Sequence, residues 1–235
     1  MILANVRARL GPADFRLVVR ALSRGDPAQG AALERRLAEE GPDRLLDEPG
    51  LLEALLALRS LVVPSPQLFT YVAVRHTLRA AGIDSRDVAD YLAALLLAFG
   101  DHGRYARIRS RDDGTYHYLV DIVGAIATGD ESEERAFLLL THLGNYSLWL
   151  AGLFPDYVAA RRLKAGGPDL PYYDQLGRRG YHLASQHRLA GRYGVAGIYR
   201  EAADSFPVLR QAFNRLSDRL FFPNVFTRDK VLRNL

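Results

Sequence analysis

Residues 137–154 read FLLLTHLGNYSLWLAGLF. Apolar side chains fall on nearly every side of this run, and Thr141, His142 and Asn145 are its polar interruptions. A helix that is hydrophobic all round belongs in the centre of a larger helical protein, not on its surface. The run approaches the length of a membrane span. Its polar middle and the Glu133-Glu134-Arg135 border deny it the ~20 clean apolar residues that a span requires. The expectation is an all-α chain, an irregular bundle of about ten helices around a buried central helix at 137–154.

Working outward, Asp130 and Glu133 have capping-box spacing for the start of this helix. Pro155 interrupts it, with a continuation to Lys164. Gly166-Gly167-Pro168 makes a break, and further helices are expected over 171–190, 195–205 and 207–221. Toward the N-terminus, Asp26-Pro27 and Ser65-Pro66 open helices running to Glu40 and Gly82. Others are expected over 13–23, 49–61, 85–99 (capped by Asp84) and 116–127. Asp113-Gly114 would turn a short β-hairpin within 105–119, the one local alternative to helix or loop. The organisation expected is one helical domain over 1–235. Residues 63–222 form its core, 1–62 a peripheral helical subdomain, and 223–235 a tail that docks or frays.

The chain contains no cysteine, which excludes disulfides, thiolate nucleophiles, cysteine-held zinc and iron–sulfur clusters. Its N-terminus lacks the apolar core of a signal peptide, so a cytoplasmic location without membrane insertion is expected. The net charge of +4 and pI near 9.4 invite an anionic partner. Only Lys164 and Lys230 are lysine among 31 basic residues, so the arginine bias reflects composition as readily as phosphate binding.

Catalytic signatures are missing. There is no Gly-x-Ser-x-Gly elbow, phosphate-binding loop, Gly-x-Gly-x-x-Gly or His-Glu-x-x-His. None of the six histidines has an acidic residue three positions earlier, which removes the di-iron carboxylate class. No cofactor can be named. Residues 78–91 have helix-turn-helix spacing, but Asp84, Asp87 and Asp90 on the second helix would repel phosphates. A plain αα-hairpin is the simpler reading.

Two constellations remain. His142, Asn145 and Trp149 on the central helix, with Tyr173 and His187 from 171–190, would line a small pocket. Gly177, Gly180 and Ala184 would let the two helices approach. The simpler reading, and the one preferred, is that these polar groups hydrogen-bond to one another and to backbone and fix which helix packs where. Arg104, Arg107, Arg109 and Arg111 alternate beside Tyr105, a pattern able to grip an anionic polymer and stack a base. The expected function is that of a soluble non-enzymatic helical protein acting through a protein partner or self-association, with the aromatics Phe206, Phe213, Phe221, Phe222 and Phe226 as contact candidates. A small-molecule binder or enzyme using the pocket is the first alternative. A nucleic-acid binder using the arginine loop is the second.

Overall fold

A computed structural model describes residues 1–58, 64–101, 104–108, 115, 116, 118–128 and 132–220. It is all-α: thirteen α-helices and two short 3-10 turns, with no strand among the described residues. The chain divides within one helix into two compact units, residues 2–97 and the residues from Ala98 onward.

The first unit holds α1 (Pro12–Ser23), α2 (Pro27–Glu40), α3 (Pro42–Leu46), α4 (Leu51–Leu56), α5 (Pro66–Ala80) and most of α6 (Arg86–Gly100). Capping follows the sequence closely. Asp26 accepts from the N–H groups of Ala28 and Gln29, and Ser65 from that of Leu68 at 3.1 Å. Gly82, at φ +83°, turns the chain between α5 and α6, where a side chain would be strained. The cap of α6 is Ser85, whose Oγ accepts from Val88 N–H at 3.3 Å, and not Asp84. Asp84 is drawn instead to Arg75 at 2.5 Å.

That pairing belongs to a charge network inside the first unit. The Arg75 side chain is 1% exposed. Its Nε and Nη2 donate to the two Asp47 oxygens at 2.6 and 2.9 Å, and Arg86 donates to the same carboxylate at 2.6 Å. Burial alone would raise the Asp47 pKa, but the hydrogen bonds and charges of Arg75 and Arg86 outweigh it and hold it at about 2. Buried Asp90 accepts from the Arg7 backbone N–H at 2.7 Å. All three aspartates of the helix-turn-helix-like stretch are thus engaged within the unit, since Asp87 lies 3.7 Å from Arg7.

The second unit adds α7 (Leu119–Thr128), α8 (Glu133–Leu153), α9 (Pro155–Ala165), α10 (Leu170–Gln186), α11 (Arg188–Arg192), α12 (Ala196–Asp204) and α13 (Phe206–Leu220). α8 is the central helix. From Phe137 to Leu153 only Leu140 and Trp149 fall short of full burial. Its length and composition would cross a membrane, but 83% of the apolar window is buried by the protein itself. α7, α9, α10 and α13 all pack on it.

Both ends of α8 are finished by other parts of the chain. Ser132 caps the start, accepting from Arg135 N–H at 3.3 Å; Asp130 lies outside the described residues. Glu133 and Glu134 face the positive helix end. At the far end Pro155 stops the helix, leaving its last carbonyls without intrahelical donors. Asn214 Nδ2 donates to the carbonyls of Ala151 and Gly152 at 2.9 and 2.6 Å, and Ser217 Oγ to that of Leu153 at 2.7 Å.

α10 crosses α8 at a point where two glycines meet. A Cβ on Gly180 would stand 2.8 Å from both Gly144 N and Leu140 O, backbone atoms that cannot move aside. Gly177, on the same buried face, receives the Phe206 ring of α13 and not α8. The helix expected over 171–190 breaks at His187, whose extended backbone and Nδ1, accepting from Leu189 N–H at 3.2 Å, start α11. Residues 104–106 form a 3-10 turn, joined to Tyr116 by one backbone hydrogen bond to Ala106 O at 2.6 Å. The Asp113-Gly114 turn of the expected hairpin lies outside the described residues, as do Phe221, Phe222, Phe226 and the tail at 223–235.

Candidate ligand-binding cleft

The polar stripe of α8 has two sides. On one, the Tyr181 hydroxyl of α10 donates to Asn145 Oδ1 at 2.8 Å in a fully buried setting. Thr141 Oγ1 returns to Phe137 O at 3.0 Å. Asn145 thus joins α10 to α8.

On the other side lies an aromatic cluster. The Trp149 ring stacks on Tyr105 at 4.7 Å between centroids, and Phe99 and Phe154 meet it edge-on at 5.7 and 5.0 Å. His142, buried, is 5.8 Å from Phe99 and 6.1 Å from Tyr146. Tyr146, one helical turn along, is 6.2 Å from Trp149. Edge-on and offset contacts of this kind add to what area burial provides.

Tyr146 is also the floor of an open cleft of about 610 Å³, walled by Tyr118, Leu119 and Val120 of α7 and its approach, Arg161 of α9, and Tyr172 and Tyr173 of α10. That volume lies within the range of small-molecule sites. Burial pushes the phenols of Tyr146 and Tyr173 to higher pKa, so both stay protonated hydrogen-bond donors at neutral pH. The Arg161 guanidinium carbon sits 4.9 Å from the Tyr118 ring centroid and 5.8 Å from that of Tyr157. Tyr157 and Arg161 are one turn apart on α9, which brings ring and cation to the same edge. No carboxylate among the described residues pairs with Arg161.

The five pocket residues expected from sequence therefore divide. Tyr173 lines this cleft; His142 and Trp149 lie behind it, each in ring contact with Tyr146. Asn145 is committed to Tyr181. His187 lies apart, capping α11 with its ring 5.2 Å from Phe137. Sequence reasoning did not reach Tyr118, Tyr146, Tyr157, Arg161 or Tyr172. The available signal was the Tyr157–Arg161 spacing beside Tyr172-Tyr173 in a chain with 12 tyrosines.

The arginine loop is partly turned inward. Arg104 donates through Nη1 to Arg107 O and through Nη2 to Ile108 O at 3.2 Å. Tyr105 is already stacked on Trp149. Arg107 is exposed, and Arg109 and Arg111 lie outside the described residues.

Compared with known protein families, with curated proteins and with solved structures, the chain matches none of them. Any functional reading rests on the cleft itself.

Proposed function

We propose that this chain is a ligand-binding helical protein whose tyrosine-walled cleft takes a flat, mostly apolar organic anion. The observation that carries the reading is Arg161, a cation held against two tyrosine rings at the edge of an aromatic cleft. Stacking on Tyr118 and Tyr157 pre-orders the guanidinium, reducing what a ligand must offset to be held by it. The aromatic walls would receive the flat body, and Arg161 would fork a carboxylate or sulfonate. The described lining contains no histidine, carboxylate or serine. It offers no group poised for proton transfer near neutrality, which favours binding over catalysis.

The probe is 8-anilinonaphthalene-1-sulfonate, with Trp149, the sole tryptophan, as a second reporter near Tyr146. Saturable binding should weaken about tenfold in Arg161→Gln, roughly 1.4 kcal/mol, with an unchanged thermal melt. The neutral parent N-phenyl-1-naphthylamine should bind both proteins alike. Equal binding of the sulfonate by wild type and Arg161→Gln would end this reading.

A protein partner is the second reading. Val120 and Leu163 are 67% and 82% exposed, Tyr118, Tyr157 and Tyr172 are exposed too, and Tyr118 and Tyr172 share the cleft with Val120. Tyrosine and arginine are the residues in which interface hot spots are rich. Concentration-dependent sedimentation of wild type and Tyr157→Ser would distinguish self-association from a free surface.

A further inference from the structure

A second cleft of the same unit has different chemistry. It measures about 640 Å³ and is lined by the α10 residues Asp174, Gln175, Arg178, Arg179 and His182, facing Asp204 at the end of α12 across a floor that includes Pro207. Arg178 and Arg179 each lie three or four residues from both Gln175 and His182, so the four share one side of the helix.

We propose that this cleft binds a small hydroxylated phosphate monoester. Arg178 and Arg179 both project from α10 into it, and neither pairs with a carboxylate among the described residues. Asp174, the acidic neighbour that would otherwise neutralise them, is taken by Arg210 at 2.7 Å with both side chains largely buried. Two uncommitted guanidinium groups on one wall suit the oxygens of a phosphate better than a single charge does.

His182, in the cleft lining, adds a donor. The Gln186 amide N–H donates to His182 Nε2 at 3.0 Å, which leaves the Nδ1–H to be given elsewhere. Opposite, Asp204 is a hydrogen-bond acceptor, and the Gln175 amide oxygen at the same cleft can accept as well. A carboxylate repels phosphate and prefers hydroxyl donors, so the cleft is polarised: cations for the phosphate, acceptors for a polyol. Its volume exceeds what a bare phosphate needs. The site shares no lining residue with the tyrosine cleft and does not depend on it.

Isothermal titration with ribose 5-phosphate, ribose and inorganic phosphate tests the assignment. Ribose 5-phosphate should bind saturably, ribose not measurably, and inorganic phosphate at least tenfold more weakly. Arg178→Gln and Arg179→Gln, both at exposed positions, should each lower ribose 5-phosphate affinity tenfold or more without moving the thermal melt. Asp204→Asn should weaken ribose 5-phosphate while leaving inorganic phosphate unchanged or tighter. Arg161→Gln should alter none of these values. Absence of saturable ribose 5-phosphate binding, or equal affinity in wild type and both arginine variants, overturns the proposal.

Discussion

The two units solve the problem of a stable interior in opposite ways. In residues 2–97 a fully enclosed arginine is paired with Asp47 and Asp84, and the buried Asp90 is brought inside with the Arg7 backbone N–H as its partner. From Ala98 onward the interior is built on close backbone approach and ring packing around α8, and the charges are left at the edges. An ionic interior is sensitive to removal of one partner, which leaves the other uncompensated. A tightly apposed one is sensitive to added volume.

The largest effect should come from breaking the first arrangement. Arg75→Met removes the enclosed cation that joins Asp47 to Asp84, leaving the largely buried Asp47 only Arg86, and should cost about 3–5 kcal/mol, measured by urea unfolding, with amide exchange rising in α3 to α5. A loss below about 1 kcal/mol would show that Arg86 alone suffices for Asp47. Next is the second arrangement: Gly180→Ala places a methyl 2.8 Å from backbone atoms of α8. It should cost roughly 1–3 kcal/mol, with exchange rising in α8 and α10. An unchanged melt would mean the helix crossing is looser than described.

Acid should act on the first unit through His76. Its Nε2–H donates to Leu46 O at 2.9 Å, and burial lowers its pKa from 6.5. The folded form then binds fewer protons than the unfolded chain. The stability His76 contributes is intact above pH 6.5 and declines as pH falls from there toward its folded pKa. The decline should be reduced in His76→Gln when unfolding is followed between pH 7.5 and 5. The smallest effect sharpens the contrast. The Tyr71 hydroxyl is enclosed and finds no partner among the described residues, so Tyr71→Phe should be neutral or slightly stabilising. A clear destabilisation would reveal a hydrogen bond at that oxygen.

How far the sequence could be read follows the same division. The all-round apolar character of 137–154 identified α8, because a stripeless helix has one stable location. Asp26, Ser65 and the prolines after them marked helix starts through local chemistry that tertiary packing did not override. Asp84 failed as a cap because Arg75, nine residues earlier, holds its carboxylate. His187 failed as a pocket residue because no glycine or proline announces the break at Gln186; the imidazole makes the break by capping α11. The tyrosine cleft was hidden for another reason. Its walls come from α7, α9 and α10, and only Tyr157 and Arg161 show a relation within one helix.

The carbonyls of Ala151, Gly152 and Leu153 receive their donors from residues 62 to 64 positions later in the chain. During synthesis, α8 therefore emerges with an unsealed end, and water must serve those oxygens until Ser217 has left the ribosome. The second unit cannot lock stepwise as it is made. Its final closure is a late event, and a chain truncated before Asn214 would leave the carbonyl end of the central helix open to whatever chaperone or neighbour reaches it first.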